Sequence, residues 1–184
     1  AAQRAWEGAG NAEADVAGCR HNAALVLTEL GRLEEALVEE RHALAINLRV
    51  LGSEHPDVAN SHEAISHVLR LQGQHREALR EGRRALESRL KALGADHPYV
   101  ALARLAVGQA LLGLGEHAEA ATGLEQALAV LEAKAPAPAD LAEARFALAR
   151  ALAGRGAPGD AARARDLAVR ARAAAVEAER PTAE

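Results

Sequence analysis

The chain has 184 residues, a formal charge of -4 and only 2% aromatic residues, which excludes the basic, aromatic-interleaved surface of a nucleic-acid reader. No apolar run reaches the length of a membrane span and no signal-peptide pattern stands at the start. The single cysteine, Cys19, forms no internal disulfide, which fits a reducing, cytoplasmic setting.

The first element, residues 1–10, is interpreted through the rest of the chain, because the sequence repeats itself. Gly31, Gly73 and Gly115 are 42 residues apart, and the same step relates Leu27, Leu69 and Leu111, then Ala36, Ala78 and Ala120, then Ala43, Ala85 and Ala127. Carried backwards, that step aligns Gly10, Asp15, Val16 and Ala17 with Gly52, Asp57, Val58 and Ala59. Residues 1–10 are therefore expected to end a preceding repeat's second helix, with Trp6 packing on the next repeat. The chain then reads as a fragment of a longer protein with an open N-terminal end, because each repeat of such an array buries its face on a neighbour. A short N-terminal capping helix is the alternative.

The first full unit, 11–52, contains two predicted helices. From Asp15 to Leu30, Ala23, Ala24, Leu27 and Leu30 fall on one helical stripe, and Gly31 ends the helix as a residue free to adopt positive φ. The second helix, about Leu33 to Leu51, carries Leu33, Ala36, Leu37, Ala43, Leu44 and Val50, and Gly52 stops it. Units two (53–94) and three (95–136) repeat this plan. Their first helices start at Pro56 and Pro98, since proline is tolerated in a first helical turn. The fourth unit, 137–176, comes at a spacing of 41, with Leu152, Gly156, Ala161 and Ala168 in the places of Leu111, Gly115, Ala120 and Ala127. Pro136 and Pro138 replace its turn, and its second helix needs a small register adjustment around Gly159. Residues 177–184 form a tail.

Few residues invite a catalytic or metal-binding reading. His62 and His67 are five apart, not the four that would put two ligands on one helical face. His55 and His97 belong to turns, while His75 and His117 hold repeat positions. Gly8–Gly10, Gly113–Gly115 and Gly154–Gly156 follow no predicted strand, so they read as turns and not as a dinucleotide fingerprint. Cys19 has no neighbouring base and is expected in the core. Arg163, Arg165, Arg170 and Arg172 could attract an acidic partner or RNA, but Asp160, Asp166, Glu177 and Glu179 are interspersed, which favours a solvated end-capping helix.

The string Asn22-Ala-Ala-Leu-Val-Leu-Thr-Glu-Leu-Gly-Arg-Leu-Glu-Glu-Ala36, followed by Ala43-Leu44, resembles the tetratricopeptide repeat. The 42-residue unit with Leu-Gly-x-x-His-Pro-x-Val-Ala is similar to the longer repeats of the kinesin light chain class, which are also widespread in bacterial signalling proteins. The resemblance implies an all-α, right-handed superhelical solenoid of antiparallel helix pairs. It makes Ala36, Ala78, Ala120 and Ala161 contacts between the helices of one repeat, and Ala43, Ala85, Ala127 and Ala168 the small residues that admit the next repeat. Leu33, His75 and His117 stand where the family usually has Tyr.

The same resemblance implies a concave groove lined by first helices: His21, Asn22, Leu25, Thr28 and Glu29, then Asn60, Glu63, His67 and Arg70, then Leu105, Gln109 and Leu112, then Glu143, Phe146 and Arg150. Asn22 matches a family Asn that bonds a ligand backbone, and Phe146 is the aromatic anchor. The lysine-bearing clamp for chaperone C-termini has no match. The expected function is a non-catalytic scaffold for a protein or peptide segment, from the C-terminal part of a larger bacterial signalling protein. No cofactor, metal, nucleic acid or membrane is implied. The alternative is a structural module that self-associates through its open N-terminal end or packs on its parent.

Overall fold

The computed structural model describes residues 2–134 and 137–178, with side chains from residue 12 onward. Eight helices and no strand occur among the described residues. The expectations for Trp6, Pro136 and the last six residues lie outside what is described.

The chain divides into two compact units, Ala1–Ala92 and Leu93–Glu184. The first contains α1 (Ala2–Glu29), α2 (Leu33–Val50), α3 (Pro56–Leu71) and α4 (His75–Leu93). The second contains α5 (Pro98–Leu114), α6 (His117–Lys134), α7 (Pro138–Arg155) and α8 (Asp160–Ala178). Each unit is a succession of helical hairpins. Within the first, α3 packs on α2 and touches α1; within the second, α7 packs on α6 and touches α5.

The boundaries follow from local chemistry. Gly31, Gly73 and Gly115 take φ of 73°, 76° and 79°, a region that other residues enter only with strain. The following amide then reaches back to satisfy a free helix carbonyl: Arg32 N–H donates to Leu27 O at 2.9 Å, Gln74 N–H to Leu69 O at 2.8 Å and Glu116 N–H to Leu111 O at 3.0 Å. At the other ends, His55 and His97 cap α3 and α5. Each Nδ1 accepts from the amide two residues on, at 3.2 Å, and the following proline occupies the first turn, where no N–H is needed.

The core is built from small contacts. Ala36, Ala78 and Ala120, and Ala43, Ala85 and Ala127, are all fully buried, so helix axes approach closely where the repeat register puts alanine. Leu69, Leu124, Leu131, Leu148 and Leu152 supply the largest buried apolar side chains.

Three expectations are corrected. Helix α1 is continuous through Gly8 and Gly10, which are not a turn. Gly10 is followed by Asn-Ala-Glu-Ala where Gly52 is followed by Ser-Glu-His-Pro, so neither a capping histidine nor a proline restarts the helix. Gly113 and Gly154 also lie inside helices, and only Gly115 and Gly156 take the left-handed cap. In α8, burial falls on Asp160, Ala164, Leu167, Ala171 and Ala174, leaving Ala161 and Ala168 exposed. The turn from Gly156 holds Ala157-Pro158-Gly159 where the third unit has only Glu116, and the longer turn resets the helical phase. Asp160 fixes this turn, accepting from the Ala157 amide at 3.0 Å and from Arg155 at 2.7 and 2.8 Å. The paired Arg155 holds its carboxyl below the usual range.

Candidate protein-binding face

In the first unit α1 and α3 are the first helices of their hairpins. Asn22, Leu25 and Glu29 project from α1 into solvent, while half-buried Thr28 donates to Ala24 O of its own helix at 2.7 Å. His21 does not join this face. Its Nδ1 lies 2.9 Å from Oε2 of Glu40 on α2, and Glu40 is completely buried. The Glu40 hydrogen bond raises the His21 pKa above 6.5, against the opposing effect of burial.

Asn60 and Glu63 are likewise committed elsewhere. Arg89, buried on α4, places Nη2 at 2.9 Å from Asn60 Oδ1 and 2.5 Å from Glu63 Oε2. A guanidinium removed from water needs such partners, and they hold α3 to α4. His67 is exposed and Arg70 half-buried on the same helix.

In the second unit, Gln109 on α5 donates to Glu143 on α7 at 2.7 Å, tying two neighbouring first helices into one wall. Burial and the Glu143 charge push the carboxyl of Asp140 up. Leu105 and Leu112, expected on the groove, are buried instead, at 4% and 6% exposure. The helix is apolar almost all round, so its leucines are taken into the core. Phe146 is 55% exposed and Arg150 is exposed beside it. Both line a cleft of about 480 Å³ between α7 and α8, with Ala161, Ala168 and Arg165 on its far side.

The remaining reactive residues are dispersed. No group of three or more His, Cys, Asp or Glu that could hold a metal occurs among the described residues. His75 and His117 are packed with buried Nδ1 atoms that have no hydrogen-bond partner. Cys19 is exposed, contrary to the core expectation, although its repeat counterpart Ser61 is buried. It lies on a face of α1 that no described helix covers. In α8, Arg163 pairs with Glu125 at 2.6 Å and Arg170 with Glu132 at 3.4 Å, so half the arginine cluster is tied to α6.

Sequence reasoning missed Glu40 and Arg89 as buried charges. The register contained a signal: Glu40 aligns with Gly82 and Leu124, and Arg89 with Asn47 and Leu131. Both positions are buried in the first three repeats.

The hairpins, their left-handed glycine caps and their alanine contacts coincide with a match to the tetratricopeptide repeat family over residues 15–91 and 68–133. The chain belongs to the tetratricopeptide repeat family. Such repeats mediate protein–protein interaction, and the fold is typically that of a non-catalytic scaffold. Among solved structures, BtubC (BKLC) from P. vanneervenii is similar, with 22% identity and a TM-score of 0.76 over 91% of this chain and 67% of that one. A Podosopora anserina kinesin light chain candidate with nearly identical TPR-like repeats has 23% identity and a TM-score of 0.66, over 90% of this chain and 77% of that one. A variant of that same protein reaches 0.68 at the same identity and coverage. These likenesses show an all-α helical-repeat fold of the kinesin-light-chain-like kind. No curated protein sequence matches the chain. No helix among the described residues is long and apolar enough to cross a membrane.

Proposed function

We propose that this tetratricopeptide array is a non-catalytic scaffold that holds an extended or helical protein segment against its first-helix faces. The observation that carries this reading is Phe146, an aromatic ring 55% exposed beside Arg150, on the wall that the Gln109–Glu143 bond joins. Aromatic and arginine side chains concentrate binding energy at protein interfaces. Asn22, Glu29, His67 and Arg70 supply polar, hydrogen-bonding groups on the first unit. With Leu105 and Leu112 buried, Phe146 supplies the apolar contact of the second unit.

The kinesin-light-chain-like repeat and the Ala-, Arg- and Gly-rich composition support a larger bacterial signalling protein as the parent and the cytoplasm as the setting. Peptides selected from a displayed library against the chain test the reading. Asn22→Ala, Arg70→Ala and Phe146→Ala together should weaken the selected peptides at least tenfold. Unchanged affinity in that variant contradicts it.

A second reading, a structural module that packs on its parent or on another copy, is favoured by one specific feature. The open face of α1 is apolar, with Val16 48% and Val26 55% exposed.

A further inference from the structure

Three repeat positions inside the hairpins are filled in opposite ways along the chain. The first repeat has His21, Glu40 and Asn47 there, the second Glu63, Gly82 and Arg89, and the third Leu105, Leu124 and Leu131. Glu40, Asn47 and Arg89 are buried, and so are all three leucines. A fourth position follows suit. Buried Ser66, whose hydroxyl donates to Ala78 O at 2.8 Å, stands where Gly108 leaves room for Leu124 one repeat later.

The contrast extends through both interior hairpins. Helices α5 and α6 bury almost twice as many apolar side chains as α3 and α4, although each pair has described helices before and after it in the chain. Among the described residues, the buried polar and charged side chains Glu40, Asn47, Ser61, Ser66 and Arg89 belong to the first unit, and Asp160 alone to the second. Apolar burial is the main force that holds a fold together, whereas a buried ion pair returns little once its desolvation is counted. The exposed pairs Glu77–Arg80 and Glu87–Lys91 on α4 add little, because water screens them. His75 and His117 carry the same unpartnered Nδ1, so that cost falls equally on both hairpins.

We infer that the first unit opens and recloses as a whole while the second stays folded. Each hairpin of a repeat array draws its stability from itself and its neighbours, so a polar run followed by an apolar run divides the chain into two cooperative blocks. On the scaffold reading, on which this consequence alone rests, the part of the ligand face on α1 and α3 is assembled and released by the opening. The part on α5 and α7 stays formed.

Native-state hydrogen exchange of the free chain, resolved by NMR in increasing low urea, tests the opening without any ligand and so apart from the scaffold reading. Amides of α3 and α4 should exchange about a hundredfold faster than those of α5 and α6, through one shared opening that leaves α5 and α6 protected. Equal protection in the two hairpins overturns the inference, as does convergence of all amides on a single opening. Glu63→Leu, Ser66→Gly, Gly82→Leu and Arg89→Leu together give the second repeat the inner positions of the third. That variant should narrow the difference to roughly tenfold or less, and a folded variant that keeps the full difference overturns the inference. Should it not fold, Leu105→His with Leu124→Glu makes the reverse exchange. Amides of α5 and α6 should then lose roughly tenfold or more of their protection, and unchanged protection overturns the inference.

Discussion

His21 Nδ1 sits 2.9 Å from Oε2 of a Glu40 that has no exposed surface. In the third repeat the same two positions hold Leu105 and Leu124, both buried. The hairpin packing therefore accepts either an ion pair or two leucines. Because Glu40 raises the His21 pKa above 6.5, the folded state binds the proton more tightly than the unfolded chain. The stability this supplies is complete below pH 6.5 and is lost as pH rises through the folded pKa. Denaturant melts should show that loss as pH rises past 6.5. His21→Leu alone leaves a buried carboxylate unpaired and costs on the order of 3 kcal/mol. His21→Leu with Glu40→Leu should recover most of it and flatten the alkaline limb. At the acid end the sign reverses: the His62 hydrogen bond lowers the Glu81 pKa below 4.5, so its contribution is present above 4.5 and fades as pH falls.

Arg89 predicts an asymmetry. Glu63→Ala takes the carboxylate away from a buried guanidinium and should destabilise by roughly 2–3 kcal/mol. Arg89→Leu reproduces Leu131 of the next repeat and strands Glu63, which is 28% exposed, and the exposed Asn60, both of which can turn to water. It should cost less than Glu63→Ala. Urea midpoints at constant slope would decide.

Gly108 is set by Leu124. A Cβ added at Gly108 would lie 2.6 Å from both Cγ and Cδ2 of Leu124, which is fully buried and has nowhere to move. In the second repeat the bulk is exchanged, with Ser66 and Gly82 at these positions. Gly108→Ala should therefore destabilise by roughly 1–3 kcal/mol through overpacking, despite alanine's better helix propensity. A raised Tm would contradict the packing described.

His75 carries a buried Nδ1 with no partner, and the first repeat holds Leu33 in its place. His75→Leu should raise stability by about 1 kcal/mol, since an unsatisfied polar atom is exchanged for apolar packing. Thermal unfolding at neutral pH would show it.

The repeat register alone made the helices legible. Pro56 and Pro98 stand in first turns as expected, Pro138, expected in the turn before the fourth unit, opens α7, and Gly31, Gly73, Gly115 and Gly156 carry the left-handed φ. What periodicity could not supply was the neighbour on each side. Cys19 and Ser61 share one repeat position but differ in burial, because Ser61 lies on α3, which packs on α2 and touches α1, while no described helix covers Cys19. Equivalence also hid chemistry, since one face carries His21, Glu63, Leu105 and Phe146 in turn. The first pairs with Glu40, the second with Arg89, the third is buried, and Phe146 reaches solvent. The phase shift in α8 was foreshadowed by Gly159, but its direction depended on how Asp160 closes the turn.

Ligand recognition by the first helices, not the second, underlies the scaffold reading. Backbone chemical-shift mapping during titration with a library-selected peptide tests it most directly. The largest shifts should fall on α1, α3, α5 and α7, centred on Asn22, His67, Phe146 and Arg150. Shifts confined to α2, α4, α6 and α8 would refute it.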